Sequence, residues 1–262
     1  MSTIKNNINT YANLTAYNND LNKDFPNVSY IQGTDEVKMY KYDPDHIVCV
    51  YNVTSTSEAT TLLFLNSGIS YQIIDGVQQQ SVQTTYTFDT LGKHIVKYKL
   101  NGTVLTRQIF RGLNITSATI PYGITEIQGS FYGCQNLKTI NIPNSVTSIT
   151  AGGFTDCYVL KNVIIPNSMI TLDSQAFSNC RAFTNVIIPN TITSIGVSAF
   201  RGCTNLTSVT VEATTPPTLG TNVFNNTNAN LVIYVPSQSV NAYKTATNWS
   251  TYATKIQAIP TT

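Results

Sequence analysis

Charge is scarce in this sequence. Only 11% of its 262 residues are Asp, Glu, Lys or Arg, against roughly 25% in an average soluble domain. The formal net charge is +2 and there is no basic run, so no field exists that would gather nucleic acid or an anionic membrane. Long apolar runs are missing too. No stretch approaches the roughly 18–20 residues of a membrane-spanning helix, and membrane insertion is not expected. The N-terminal Met1-Ser-Thr-Ile-Lys-Asn-Asn-Ile lacks the apolar core of a signal peptide, so the expectation is a chain without a secretion signal. Closely spaced cysteine pairs, a glycine-rich phosphate loop and His-Glu-x-x-His are all absent. Zinc, nucleotide and other cofactor chemistry have no motif to rest on, and no metal or cofactor is expected.

Catalytic groups are equally thin. His46 and His94 stand in separate strand-like segments with no Ser or Cys nucleophile motif beside either. Asp35, Glu36, Asp43 and Asp45 fit no calcium-loop spacing and read as a solvated loop. A glycan hydrolase would need two converging carboxylates, and the second half of the chain has few acids. Asn-x-Ser/Thr triplets at Asn13, Asn52 and Asn205 follow from an Asn- and Thr-rich surface. No catalytic residue is nominated, and the chain is read as a non-enzyme.

What the sequence does hold is a repeat. Cys134, Cys157, Cys180 and Cys203 recur every 23 residues, each three residues after Phe131, Phe154, Phe177 and Phe200. Pro121, Pro143, Pro166 and Pro189, then Ile127, Ile149, Leu172 and Ile195, keep the same phase. Such self-similarity marks a solenoid. Ile140-Asn141-Ile142 alternates with period two, as a short strand does, and the following Pro ends the ladder. One coil cannot bury its own apolar face, so neighbours stack and their strands form a parallel sheet at about 4.8 Å spacing. The reading predicts about five coils over 113–260, with a buried phenylalanine column. The cysteines form a second column of inert, reduced, buried thiols; parallel Cβ vectors disfavour disulfides between them. Cys49 falls in a strand and is expected in the core. Leu113–Ile127 makes a degenerate first unit, one residue short before Phe131. At the far end, a strand over Leu231–Val235, a helix over about 240–247 with Ser237 as N-cap, and Trp249, Tyr252 and Ile256 close the core.

The unit Ile188-Pro-Asn-Thr-Ile-Thr-Ser-Ile-Gly-Val-Ser-Ala-Phe-Arg-Gly-Cys-Thr-Asn-Leu-Thr-Ser-Val resembles bacterial leucine-rich repeats of the BspA type. The tail Val211-Glu-Ala-Thr-Thr-Pro-Pro-Thr-Leu-Gly and Tyr234-Val-Pro-Ser-Gln-Ser-Val-Asn-Ala-Tyr-Lys is similar to the end of such arrays in gut Bacteroides-type proteins and their phages. The resemblance covers about 113–260. It implies attachment at a cell or virion surface and brings no catalytic residue.

Ahead of the repeat, about six or seven short alternating strands occupy residues 47–110, with turn signals at Asp75-Gly76 and Asn101-Gly102. The segment Tyr86-Thr-Phe-Asp-Thr-Leu-Gly-Lys-His-Ile-Val-Lys-Tyr resembles a hairpin of Ig-like or PKD-like modules, which implies a β-sandwich. Residues 1–41 are Asn- and Tyr-rich. They read as an attachment arm ordered by a partner, or as a tail with one edge strand near Val28–Ile31. The fold class is thus mainly β: an arm (1–41), an Ig-like β-sandwich (42–111), then a leucine-rich-repeat solenoid with a parallel sheet (112–262) and a C-terminal cap (about 228–262).

A binding face is nominated on the coil strands. The outward column reads Thr119, Asn141, Ile164, Ile187, Thr210, with Asn162 stacked on Asn185 and Asn144, Asn167 and Asn190 after the prolines. Ile164 and Ile187 make an apolar spot among polar neighbours; the bland reading is an ordinary β-branched strand surface. The site residues are therefore Ile164, Ile187, Asn141, Asn162 and Asn185. The expected role is a virion surface protein of head-fibre or capsid-decoration type. Residues 1–41 would join other virion or surface proteins, and the repeat sheet would meet a host protein or glycan. The alternatives are a BspA-type bacterial cell-surface adhesin and a glycan-binding accessory domain of an enzyme system. Self-association, for example as a trimer, is one expected arrangement.

Overall fold

The computed structural model describes residues 28–33, 36–41, 45–63, 69–106, 108–161 and 163–260. The segment read as an arm holds an antiparallel pair, β1 (Val28–Gly33) and β2 (Glu36–Lys41), in register from Val28↔Lys41 to Gly33↔Glu36. The rest of the arm lies outside the described residues.

Seven strands follow: β3 (His46–Val53), β4 (Thr60–Thr61), β5 (Ile69–Ile74), β6 (Val77–Gln78), β7 (Thr85–Tyr86), β8 (Gly92–Leu100) and β9 (Val104–Leu105). β8 is paired antiparallel with β3 on one side and β5 on the other. Asp75 and Gly76 join β5 to β6 with φ of 47° and 89°. Two positive φ values are what a two-residue hairpin matched to strand twist requires, and Asp and Gly tolerate them. The core side of β3 and β8 carries Ile47, Cys49, Tyr51, Val96 and Tyr98, all fully buried. The Tyr51 and Tyr98 hydroxyls lie 2.8 Å apart and both lie within hydrogen-bond reach of the Leu62 carbonyl, so each buried hydroxyl finds an acceptor for its one proton in this cluster.

The other edge of β3 does not end the sheet. It pairs antiparallel with β10 (Ile115–Thr119), Cys49 facing Ala118, and β10 pairs parallel with the next coil strand, which begins at Thr139. The expectation of an Ig-like sandwich over 42–111 is met only in its antiparallel strands. Among the described residues one sheet runs from β6 through β5, β8, β3 and β10 into the repeat, and β4 and β7 form a separate two-stranded pair. The hairpin expected at Asn101-Gly102 is also not formed. β9 leaves β8 and pairs parallel with β11 (Glu126–Gln128), Leu105 beside Ile127. Burial of Leu105 in the repeat column outweighs the local turn signal.

That pairing moves the start of the solenoid. The strands of one wall, here called wall B, are β9, β11, β13 (Ser148–Thr150), β14 (Thr171–Leu172), β16 (Ser194–Ile195) and β18 (Thr218–Leu219), all parallel. Wall A holds β10 and β12 (Thr139–Asn141), then, beyond a coil segment, β15 (Asn185–Ile188), β17 (Ser208–Val211), β19 (Val232–Val235) and β20 (Ile256–Ala258). Among the described residues there are six wall-B strands, so coil 1 begins near Val104, not Leu113, and the stack has six coils rather than five.

The phenylalanine column explains the stack. Phe110, Phe131, Phe154, Phe177, Phe200 and Phe224 are all buried, with successive ring centroids 5.2, 5.4, 5.4, 5.6 and 5.8 Å apart and planes within 21° of parallel. Offset stacking and area burial both favour this column. Each ring sits between two left-handed residues. Two positions before it lie Gln108, Gly129, Gly152, Gln175, Ser198 and Asn222; two positions after it lie Gly112, Gly133, Asp156, Asn179, Gly202 and Asn226. The backbone N–H of each of the first five phenylalanines donates to a carbonyl of the next coil, from Ser130 to Val223.

The far end replaces a missing seventh coil with side chains. After a 3-10 turn (Ser237–Ser239), α1 (Val240–Thr245) and a second 3-10 segment (Trp249–Lys255) cover the core. Trp249 Nε1 donates to the Pro217 carbonyl, Tyr243 to Ala213, Asn248 Nδ2 to Leu219 and Ser239 to Thr214. Trp249, Tyr252 and Ile256 are buried as expected. Ser237 is not the N-cap. Ser239 holds that place, and its hydroxyl is spent on Thr214 rather than on the helix.

Candidate functional site

Wall A orders the nominated residues as follows. Register places Asn141 beside Thr119, Thr210 beside Ile187, and Tyr234 beside Thr210. Ile164 is 36% exposed; Asn141, Ile187, Thr210 and Tyr234 are half-buried, and Asn185 is exposed. Asn162 lies outside the described residues. Asn144, Asn167 and Asn190 are exposed after their prolines. Thr119 departs from the expected column: it is 3% exposed, with Ser117 buried beside it. β1 comes close to β12 at this end of the wall.

Two further differences matter. The strand pattern of wall A lapses over 163–165, so Ile164 sits in a coil segment between β12 and β15 rather than in a ladder. Tyr234, which sequence reasoning did not place, extends the column with an aromatic ring. Its alternation in Val232-Ile-Tyr-Val was the available signal, but it stands 24 residues after Thr210 and falls out of a strict count of 23.

The thiol column has a structural task. Sγ of Cys134, Cys157, Cys180 and Cys203 donates to the carbonyl of Phe110, Phe131, Phe154 and Phe177 respectively, at 2.9, 3.2, 3.3 and 3.2 Å. Each thiol therefore ties its coil to the one before. All five cysteines are free and buried. Burial pushes the thiols of Cys134 and Cys203 up to about 12, and those of Cys49, Cys157 and Cys180 well above the usual range. The thiolate, which is the nucleophile and the metal ligand, is thereby suppressed.

The histidines are occupied with structure. His46 Nε2 meets the Tyr71 hydroxyl at 2.9 Å. His94 Nδ1 lies 2.6 Å from Asp75 Oδ2, and its Nε2 lies 2.8 Å from the Thr90 carbonyl and 3.4 Å from Thr90 Oγ1. Asp, His and Thr in this order resemble a catalytic triad, but a carbonyl can only accept. Nε2 must therefore donate to it and has no lone pair free to take a proton from the hydroxyl. Among the described residues, no three of His, Cys, Asp and Glu converge as a metal site. No helix there is long and apolar enough to cross a membrane.

No curated protein matches the chain. A leucine-rich repeat protein of T. pallidum, solved by crystallography, is similar at 25% identity and a TM-score of 0.46, over 52% of this chain and 65% of that one. One from Bacteroides ovatus shares 27% identity at a TM-score of 0.37, over 46% of this chain and 37% of that one. A leucine-rich cell surface protein from Faecalibacterium prausnitzii shares 19% identity at a TM-score of 0.23, over 54% of this chain and 58% of that one. The chain thus spans less than two thirds of each of these proteins. The family match coincides with the six coils: residues 103–231 match the BspA type leucine rich repeat region in 6 copies.

Proposed function

We propose that this is a non-catalytic adhesion or protein-binding protein displayed at a surface, with wall A of the solenoid as its contact face. The observation that carries the reading is the row Ile187, Thr210, Tyr234 set side by side on wall A, with exposed Ile164 on the preceding coil and exposed Asn185 alongside. Apolar and aromatic groups stand among amides and hydroxyls there, as in the core and rim of a protein contact. The BspA-type match favours a bacterial cell surface over a virion as the setting. Residues 1–41 join the protein to its carrier, and the repeat meets a host protein or glycan. Genes for capsid and portal proteins beside this one would favour the virion instead.

The test is the double variant Ile164→Asn with Ile187→Thr, read by attachment of the labelled protein to host cells. These changes copy residues found in the same column of other coils, so the fold is kept. Loss of attachment at unchanged Tm supports wall A; attachment equal to wild type refutes it. Deleting residues 1–41 should leave the repeat folded and abolish incorporation into the carrier. Normal occupancy after the deletion places the anchor elsewhere.

A further inference from the structure

A second site lies away from wall A, at the seam between the antiparallel sheet and coil 1. A groove of about 650 Å3 opens there between the segment after β3 and the turn after Phe110. This volume falls within the roughly 300–1,000 Å3 of small-molecule sites. Its origin is the end of the stack. In every later coil the carbonyl after the phenylalanine accepts an N–H from the coil before: Tyr132 from Gly112, Thr155 from Gly133, Ser178 from Asp156, Arg201 from Asn179, Asn225 from Gly202. Coil 1 has no coil before it, and the matching residue is Arg111. The chain from Thr54 to Thr61 passes by instead and leaves the groove.

Its lining mixes apolar surface with polar groups, some of them held in place. The Arg111 guanidinium rests over the Tyr132 ring, 4.8 Å from its centroid, a cation–π contact that helps hold it in place. The Asn114 side chain accepts from Asn136 Nδ2 at 2.8 Å and reaches the Asn52 carbonyl at 3.5 Å, which sets its amide. Glu58 supplies the opposing carboxylate, and Ser55 and Thr60 supply hydroxyls. One cation and one anion leave the lining neutral, which disfavours a simple ion as ligand. Planar guanidinium, carboxylate and amide groups match pairs of neighbouring hydroxyls, each of which both donates and accepts.

We propose that this groove binds a short neutral oligosaccharide, with Arg111 and Glu58 each clasping adjacent ring hydroxyls and Asn114 and Asn52 completing the contact. The site is independent of wall A, so the two readings can fail separately.

The experiment is saturation-transfer NMR on the full chain with methyl glycosides of glucose, galactose, mannose and N-acetylglucosamine and their β-linked disaccharides. At least one should receive saturation, and its affinity should fall about tenfold or more in Arg111→Ala. The wall A double variant should bind it as the wild type does. Glu58→Ala, on the other lining segment, should show the same loss if Arg111→Ala lowers Tm through its contact with Tyr132, and Glu58→Gln should recover part of it. No saturation of any neutral sugar overturns the proposal. Binding that neither groove variant weakens, or binding confined to free amino acids or uronic acids, also overturns it.

Discussion

The backbone N–H of Phe224 donates to the Tyr252 hydroxyl at 3.1 Å, in the place that the next coil's carbonyl holds for every earlier phenylalanine. The same hydroxyl donates onward to Asn225 Oδ1 at 3.1 Å. A phenol from the cap thus stands in for a seventh coil. Tyr252→Phe keeps the ring against Phe224 but leaves a buried N–H unpaired, which costs about 1–3 kcal/mol. Urea titration should show that loss with an unchanged m-value. A loss below about 0.5 kcal/mol would mean that another acceptor replaces the phenol.

The columns were legible because stacking forces identical positions to recur. Phe131, Phe154, Phe177 and Phe200 and their cysteines keep one period, so burial could be read from spacing alone. Coil 1 was not legible, for two reasons. Phe110 precedes Phe131 by 21 residues, and Leu113 stands where the later coils carry Cys. The second difference has a cause: a thiol is useful only if an earlier phenylalanine carbonyl exists to accept from it, and coil 1 has none. Thr119 and Ile164 were placed by the same repeat logic and departed from it. Their surroundings depend on features outside the period: β10 pairs with β3 at Thr119, and the ladder lapses at Ile164.

Gly196 should be irreplaceable for a reason unrelated to turns. A Cβ there would overlap the backbone of Asp173 and Ser174 in the coil before, and backbone cannot swing aside as a side chain can. Gly196→Ala should lose about 1–3 kcal/mol as an overpacking change. Gly102→Ala, where a Cβ meets nothing within 4 Å, is the control and should be near neutral. Equal stabilities for the two variants by thermal melting would contradict the close approach of coils.

Phe177 stacks on Phe154 at 5.4 Å and on Phe200 at 5.6 Å, and Phe183 leans on it at 5.5 Å. Truncation to Ala opens a void in the middle of the column, where coils on both sides hold the backbone apart and limit collapse. The expected loss is about 3–5 kcal/mol. A denaturant titration showing less than about 1 kcal/mol would mean that the coils close over the gap, which the shared ladders of wall B argue against.

Alkali should unfold this protein earlier than its low charge suggests. In the folded state Cys134 and Cys203 ionise only near 12, because burial penalises the thiolate, and Cys49, Cys157 and Cys180 are raised in the same direction. In the unfolded chain the same thiols ionise near their ordinary value of 9.0. Between these values the native state keeps protons that the unfolded state has released, so unfolding is favoured as pH rises. Below about pH 8.5 no thiol contributes a slope; above it each buried thiol removes up to about 1.4 kcal/mol per pH unit until its folded value is reached. Native labelling with a maleimide should accordingly be slow at pH 7 for all five cysteines and should accelerate together with global unfolding above about pH 9.5. Cys180→Ala removes one contribution to the slope and also the donor to the Phe154 carbonyl, so it should lower stability at pH 7 while flattening the alkaline fall. A variant with unchanged slope, or fast labelling of Cys157 and Cys180 in the native protein, would show that the thiol column is not sealed.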